Sequence, residues 1–302
     1  MKSSLPSYFA LLNHFAAIRV YGPNVAIFLQ GQTTCDIRQV KENQGLLGAC
    51  SDTKGRMIAN FFVVCINTDY FLLLPQNSIE NLLHHLKKYA VLSRVELLPA
   101  PEWKIIEYRG AKEFTDKDVF MFSFPRDSQW LMVPTDQEMK ITDKLGTITN
   151  ALSLSNWENL NIDSGLVWLN PKTSGLFIPQ MINWQKWNGV SFTKGCYIGQ
   201  EIIARTEHLG QLKRHLYHSE ISSTEKPTVG NEIKKSDGQT IGIIVAAGLL
   251  PEKKYKLLAV IQDGALSENV NPTVYLHATE QHNFIADATT EIKSHHGWMR
   301  CS

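Results

Sequence analysis

Two apolar runs, FFVVCI (61–66) and YFLLL (70–74), are separated only by NTD. That spacing predicts two antiparallel strands joined by a tight turn. The period then changes. In NSIENLLHHLKKYAV (77–91), Leu82, Leu83, Leu86 and Tyr89 recur at helical spacing and form one apolar stripe. Asn77 and Glu80 stand three apart, the spacing of a capping box. Further upstream, Pro23 suits a first helical position and Gly31 a stop, so residues 23–30 are expected to form a short helix. Strands followed by amphipathic helices argue for an α+β layered fold.

The middle of the chain carries a second capping-box spacing, Ser155 and Glu158, opening a helix with Trp157 and Leu160. DSGLVWLNPKTSGLFIPQMINW (163–184) is rich in Gly, Pro, Asn and Ser and predicts a long ordered loop. Loops of that length inside a compact domain tend to be functional. From about Leu212 the pattern shortens. HLYHSEI, TIGIIVAA, YKLLAVIQ and NPTVYLHA alternate with turn clusters such as SDGQ and LLPEKK, predicting a small β-barrel or sandwich. The expected division is therefore 1–211 and 212–302.

Composition adds exclusions. Of 302 residues, 43% are hydrophobic and 20% charged, with 30 basic against 29 acidic for a net charge of +1. A balance so near neutral counts against direct transfer-RNA binding through bulk charge. Asn13 and His14 interrupt the N-terminal apolar stretch, so no signal peptide is expected. The longest apolar run, Ile241–Leu250, is about half the ~20 residues of a membrane span. Cys35, Cys50, Cys65, Cys196 and Cys301 are scattered, with no C-x-x-C pair. A reducing cytoplasm is the expected setting.

Candidate chemistry concentrates in KGCYIGQEIIAR (194–205). Gly195 frees the backbone before Cys196, and GQEIIAR reads as a helix start. A thiol there would feel the positive helix end and the cations Lys194 and Arg205, which favour its thiolate. The alternative is a free cysteine filling a core gap. His208, His215 and His218 follow, but their H-x6-H-x2-H spacing matches no standard zinc pattern, and no metal site is expected. They read as surface histidines, as do the pairs His84–His85 and His295–His296.

KGCYIGQE resembles the K-G-C-Y-x-G-Q-E signature of the YgfZ family, folate-binding relatives of the glycine-cleavage T-protein, an aminomethyltransferase. The matched positions are Lys194, Gly195, Cys196, Tyr197, Gly199, Gln200 and Glu201. FLQGQTTCDI (28–37), LKKYAVLSRV (86–95) and SGLFIPQ (174–180) resemble further family landmarks.

The resemblance implies a T-protein-like fold: three domains around a central folate-binding channel. Residues 1–211 would form two intertwined α+β domains and the remainder a C-terminal β-barrel. It implies tetrahydrofolate or another folate as cofactor, with Phe15 and Trp157 as stacking partners for the flat pterin. Asp163 would pair with the pterin N–H groups and Arg205 with the glutamyl tail. Where T-protein enzymes carry acidic residues, KGRMIANFFV (54–63) has Ala59 and Asn60. Neither is a carboxylate, so aminomethyl transfer is not expected to survive. The implied role is an accessory factor for iron–sulfur cluster assembly or repair, and thereby transfer-RNA modification, with Cys196 as functional thiol. Its partners would be iron–sulfur client or assembly proteins. The alternative is a tetrahydrofolate-dependent one-carbon transferase. The chain has no four-cysteine motif of its own to hold a stable cluster.

Overall fold

A computed structural model describes residues 6–111, 114–223, 226–235, 237–265 and 298–301, and the backbone of 274–277 and 290–294. Strands β1 (Tyr8–Leu11) and β2 (Phe15–Tyr21) leave for different sheets. β2 joins β3 (Leu46–Ser51), β4 (Met57–Ile66), β5 (Asp69–Pro75) and β6 (Glu96–Pro99) in the order β3-β4-β5-β2-β6. Helices α1 (Val25–Gln32) and α2 (Ile79–Ser93) cover one face.

The unbroken apolar runs of β4 and β5 follow from burial on both faces. Ala59, Phe61, Val63, Leu72 and Leu74 pack with Leu82 and Leu86 of α2. Phe62, Val64, Phe71 and Leu73 point the other way, into the central core. The turn between the strands has Asn67 at φ 56°, a left-handed position that asparagine tolerates.

The second sheet has the order β10-β1-β7-β9-β8, formed by β1, β7 (Trp103–Arg109), β8 (Phe120–Phe124), β9 (Ser128–Pro134) and β10 (Asn150–Ala151). Helix α3 (Glu138–Gly146) packs Ile141 and Leu145 on its outer face with Ile106, Leu131 and Val133. Its inner face meets the first sheet, where Trp130 stacks on Phe124 at 4.7 Å and meets Phe62 edge-on at 5.4 Å.

Helix α4 (Leu154–Ser164), an irregular segment and α5 (Gln200–Leu209) lead to the third sheet. This comprises β11 (Arg214–Ser222), β12 (Glu232–Lys234), β13 (Thr240–Leu250), β14 (Lys254–Gln262), β15 (Val274–His277), β16 (Thr290–Ser294) and β17 (Met299–Arg300). Its order is β14-β13-β12-β15-β16-β11-β17, and β11 also pairs with β14. Gly248 lets α4 lie against β13: a Cβ there would meet Asn159 Oδ1 at 2.1 Å. Among the described residues no helix is long and apolar enough to cross a membrane.

Several local expectations need correction. α1 begins at Val25 and runs through Gly31, ending where Thr33 turns extended and its hydroxyl donates to the Leu29 carbonyl. Neither expected capping box forms. Asn77 lies inside a 3-10 turn (Gln76–Ser78), and Ser78 caps α2 without a side-chain bond. At α4 the cap is Ser153, whose hydroxyl accepts from the Asn156 N–H, while Ser155 lies inside the helix and donates to Leu249 O. His295 and His296 lie outside the described residues.

Candidate functional site

A cavity of about 200 Å³ opens where α4, the start of β2, the segment after α4 and β13 converge. His14, Phe15, Trp157, Glu158, Trp168 and Ala246 are among its lining residues. The rings meet edge to face: Phe15 lies 5.6 Å from Trp157 and 5.0 Å from Trp168, and His14 lies 5.0 Å from Trp157. Burial pulls the His14 imidazole down to about 4, so it is neutral near pH 7. His14 Nδ1 and Trp168 Nε1 are buried and have no hydrogen-bond partner among the described residues.

Phe15 and Trp157 thus come together as expected, but both are largely core. Phe15 is 7% exposed and Trp157 2%. Trp168, half-buried in the same wall, presents more ring than either. It stands within the long loop without any motif around it, and its aromatic character was the only signal that could have marked it.

Beneath Trp157 lies Glu107, a carboxylate that is fully buried. It accepts from Trp157 Nε1 at 2.7 Å, Tyr8 Oη at 2.9 Å, Ser128 Oγ at 2.8 Å and Arg126 Nη2 at 2.8 Å to each oxygen. Arg126 Nη1 continues to Asn161 Oδ1 at 2.7 Å, on the cavity face of α4. Burial first, then the Glu107 charge, raises the Tyr8 hydroxyl, keeping it a donor. A buried ion pair with its remaining lone pairs satisfied fixes geometry more than it adds stability.

Asn60 is committed elsewhere. Its Nδ2 donates to Val167 O at 2.7 Å, and its Oδ1 accepts from Leu169 N at 2.9 Å. This clamp sets the backbone on either side of Trp168. Ala59 faces the opposite core with Phe61. The matched positions therefore offer no carboxylate here, and Asn60 holds the loop instead.

The Cys196 loop is held by contacts between the signature and the FLQGQTTCDI stretch, and by a close approach to Asp52. Lys194 is 5% exposed and its ammonium donates to Thr33 O at 2.7 Å and Cys35 O at 2.6 Å. Its Nζ also lies 5.0 Å from the Tyr197 ring centroid. Burial pulls Lys194 down to about 8. Ile198 N donates to Gly31 O at 3.2 Å. Gly199 has φ 83°, and a Cβ there would meet Asp52 O at 2.5 Å. Gly199 then caps α5, whose first turn holds Gln200 and Glu201.

Cys196 itself is exposed, whereas Cys35 and Cys50 are buried and Cys65 and Cys301 are intermediate. The expected electrostatic setting is only partly built. Cys196 precedes α5 by four residues, and Lys194 turns inward to the Thr33 and Cys35 carbonyls. Arg205 is exposed on α5 and makes no hydrogen bond or ion pair among the described residues. Cys196 and Arg205 are not among the residues lining the aromatic cavity.

Asp163 also lies outside it. Its carboxylate is 51% exposed and accepts from Lys256 Nζ at 2.6 Å, beside His218 in a separate polar cavity. His215 Nδ1 pairs with Asp263 at 2.7 Å, and the His208 ring lies 6.1 Å from Phe192. Among the described residues no group of three side chains is placed to hold a metal ion.

No family model matches the chain. Two proteins named tRNA-modifying protein YgfZ, from Yersinia enterocolitica and Yersinia pestis, are each 29% identical over 291 residues, covering 89% of this chain and 88% of their own length. Among solved structures, the glycine cleavage system aminomethyltransferase T of Bartonella henselae superposes with a TM-score of 0.68 at 13% identity, covering 96% of this chain and 84% of that one. The chain is therefore a homologue of the YgfZ proteins, built on the fold of aminomethyltransferase T.

Proposed function

We propose that this protein is a folate-binding accessory factor that supports iron–sulfur cluster assembly or repair, and through it transfer-RNA modification, in the cytoplasm. The observation that carries the reading is the aromatic cavity enclosed by the first sheet, α4 with the segment that follows it, and β13 of the third sheet. Its rings, the orphaned polar atoms of His14 and Trp168, and the half-buried Glu158 carboxylate fit a flat heterocycle with polar edges. A bound reduced folate would supply one-carbon or redox chemistry at its pteridine ring. The chain's own residues wall the ring, exclude water through Phe15 and Trp157, and keep that wall rigid through Glu107. The name of the Yersinia homologues supports the connection to transfer-RNA modification.

The domain reading follows the same fold. The division near residue 212 is supported by β11 opening the third sheet at Arg214. A barrel for 212–302 is supported by β14 pairing with both β13 and β11. Three domains around a channel are supported by three separate sheets.

Cys196 would be the working thiol, contacting client or assembly proteins from an exposed loop. Asn60 favours an accessory role over the one-carbon transferase alternative, because its side chain is spent on the loop backbone.

Calorimetric titration with 5-formyltetrahydrofolate tests the binding reading, and saturable binding by the wild-type protein is expected. Its absence would end the folate reading. Cys196→Ala is expected to bind folate normally and to fail in restoring iron–sulfur enzyme activity to a strain lacking the native factor. Full complementation would make the cysteine structural.

A further inference from the structure

Among the described residues that line the aromatic cavity there is one carboxylate, and it is not the one at the family position. Trp157, Glu158, Asn161 and Ile162 occupy one face of α4, the i, i+1, i+4, i+5 set that a helix turns toward one side, and all four line the cavity. Asp163 falls on another side and is neutralised by Lys256. Glu158 makes no hydrogen bond or ion pair with any described residue. It is half-buried beside His14 and the indole rings, and burial raises its carboxyl above the ordinary range against a weaker opposing pull from Lys226.

A carboxylate in such a setting gains most from a pair of N–H donors, which restore in the cavity the hydrogen bonds it loses from water. We infer that Glu158 is the specificity-determining residue of this cavity and selects a planar heterocycle whose edge carries two adjacent N–H donors. A 2-amino-4-oxo pyrimidine edge has that pattern. The inference rests on the cavity being the folate site and names the residue that reads the ring.

The pattern makes the inference testable with two small probes. In 6-methylpterin the ring N3–H and the 2-amino group present two donors side by side. In 6-methyllumazine an oxygen replaces the amino group, so a carboxylate there meets one donor and one acceptor. The amide introduced by Glu158→Gln would present one acceptor and one donor, the complement of the lumazine edge.

Calorimetry on the full chain is expected to give wild-type protein a preference for 6-methylpterin of about tenfold or more, one good charge-assisted contact. Glu158→Gln should weaken pterin binding and bring lumazine level with it or ahead. Asp163→Asn should keep the wild-type preference. If Glu158→Gln retains that preference while Asp163→Asn loses it, the assignment is overturned in favour of Asp163. If wild type binds 5-formyltetrahydrofolate yet neither variant alters the preference, Glu158 is refuted while the folate site stands. If wild type binds neither folate nor pterin, the folate reading and this inference fall together.

Discussion

Trp157 Nε1 donates to Glu107 Oε2 at 2.7 Å, so a cavity-lining ring is tied to a buried carboxylate that also holds Arg126. A substitution at Trp157 must disturb the core as well as the cavity. Trp157→Ala is expected to destabilise the fold by about 3–5 kcal/mol, the usual range for deleting a buried aromatic. Trp157→Phe retains most of the volume and loses one hydrogen bond to a charged group, about 1–3 kcal/mol. Urea denaturation separates the two variants, and folate affinity is then best read on Trp157→Phe. An Ala variant as stable as wild type would show that the ring is not a core element.

Acid sensitivity should begin well above the carboxylate range. In the unfolded chain His14 protonates near its ordinary value of 6.5, whereas in the folded chain burial delays this to about 4. Between those values the unfolded state binds more protons, so stability falls as pH falls. His85, lowered chiefly by burial, adds to the loss. Glu158, raised by burial, opposes it near the acid end. Asp36 and Asp116, held low chiefly by hydrogen bonds from Arg38 and Lys144, contribute only below their ordinary value of 3.8. Urea midpoints measured from pH 7 to 4.5 should decline, and His14→Gln should decline less. Identical slopes would remove His14 from the account.

Periodicity read the local elements well because their causes are local. The two apolar faces of β4 and β5, the stripe of α2 and the signature loop are all visible within a few residues. The site was harder because its bonds cross the chain. Tyr8, Glu107, Arg126, Ser128 and Trp157 are individually ordinary, and only the second sheet and α4 bring them together. Asp163 matched a family position, yet the turn of α4 and the distant Lys256 take it out of the aromatic cavity. Lys194 looked like a cation for Cys196, but a lysine stem reaches inward as readily as outward. The Thr33 and Cys35 carbonyls that capture it come from a different landmark.

Restoring a carboxylate at Asn60 should not restore transferase chemistry. Asn60→Asp keeps an acceptor for Leu169 N but removes the donor to Val167 O, leaving two oxygens face to face. A buried unsatisfied pair of that kind costs about 1–3 kcal/mol. The variant is expected to unfold at lower urea and to show no aminomethyl transfer to tetrahydrofolate. A stable, active Asn60→Asp protein would mean that the loop clamp is dispensable and the chemistry latent.

The five thiols should separate sharply toward iodoacetamide. Cys196 is the exposed cysteine and is expected to be labelled first near neutral pH. Cys35 and Cys50 are buried, and burial raises both thiols, so they should react only on unfolding. Burial also raises Cys65, with a smaller push from the Asp69 charge. Cys301, near the C-terminus, is pushed up to about 11 from 9.0. That leaves roughly a hundredfold less thiolate than an ordinary thiol has at the same pH. Its peptide N–H is also tied to Leu216 O at 2.9 Å, and its carbonyl accepts from Asn183 Nδ2 at 3.0 Å. Peptide mass spectrometry after a timed alkylation gives the order, and Cys196→Ser should abolish the fast phase. Labelling of Cys65 or Cys301 ahead of Cys196 would show that the signature loop shields its thiol, and the exposed-thiol role would fail with it.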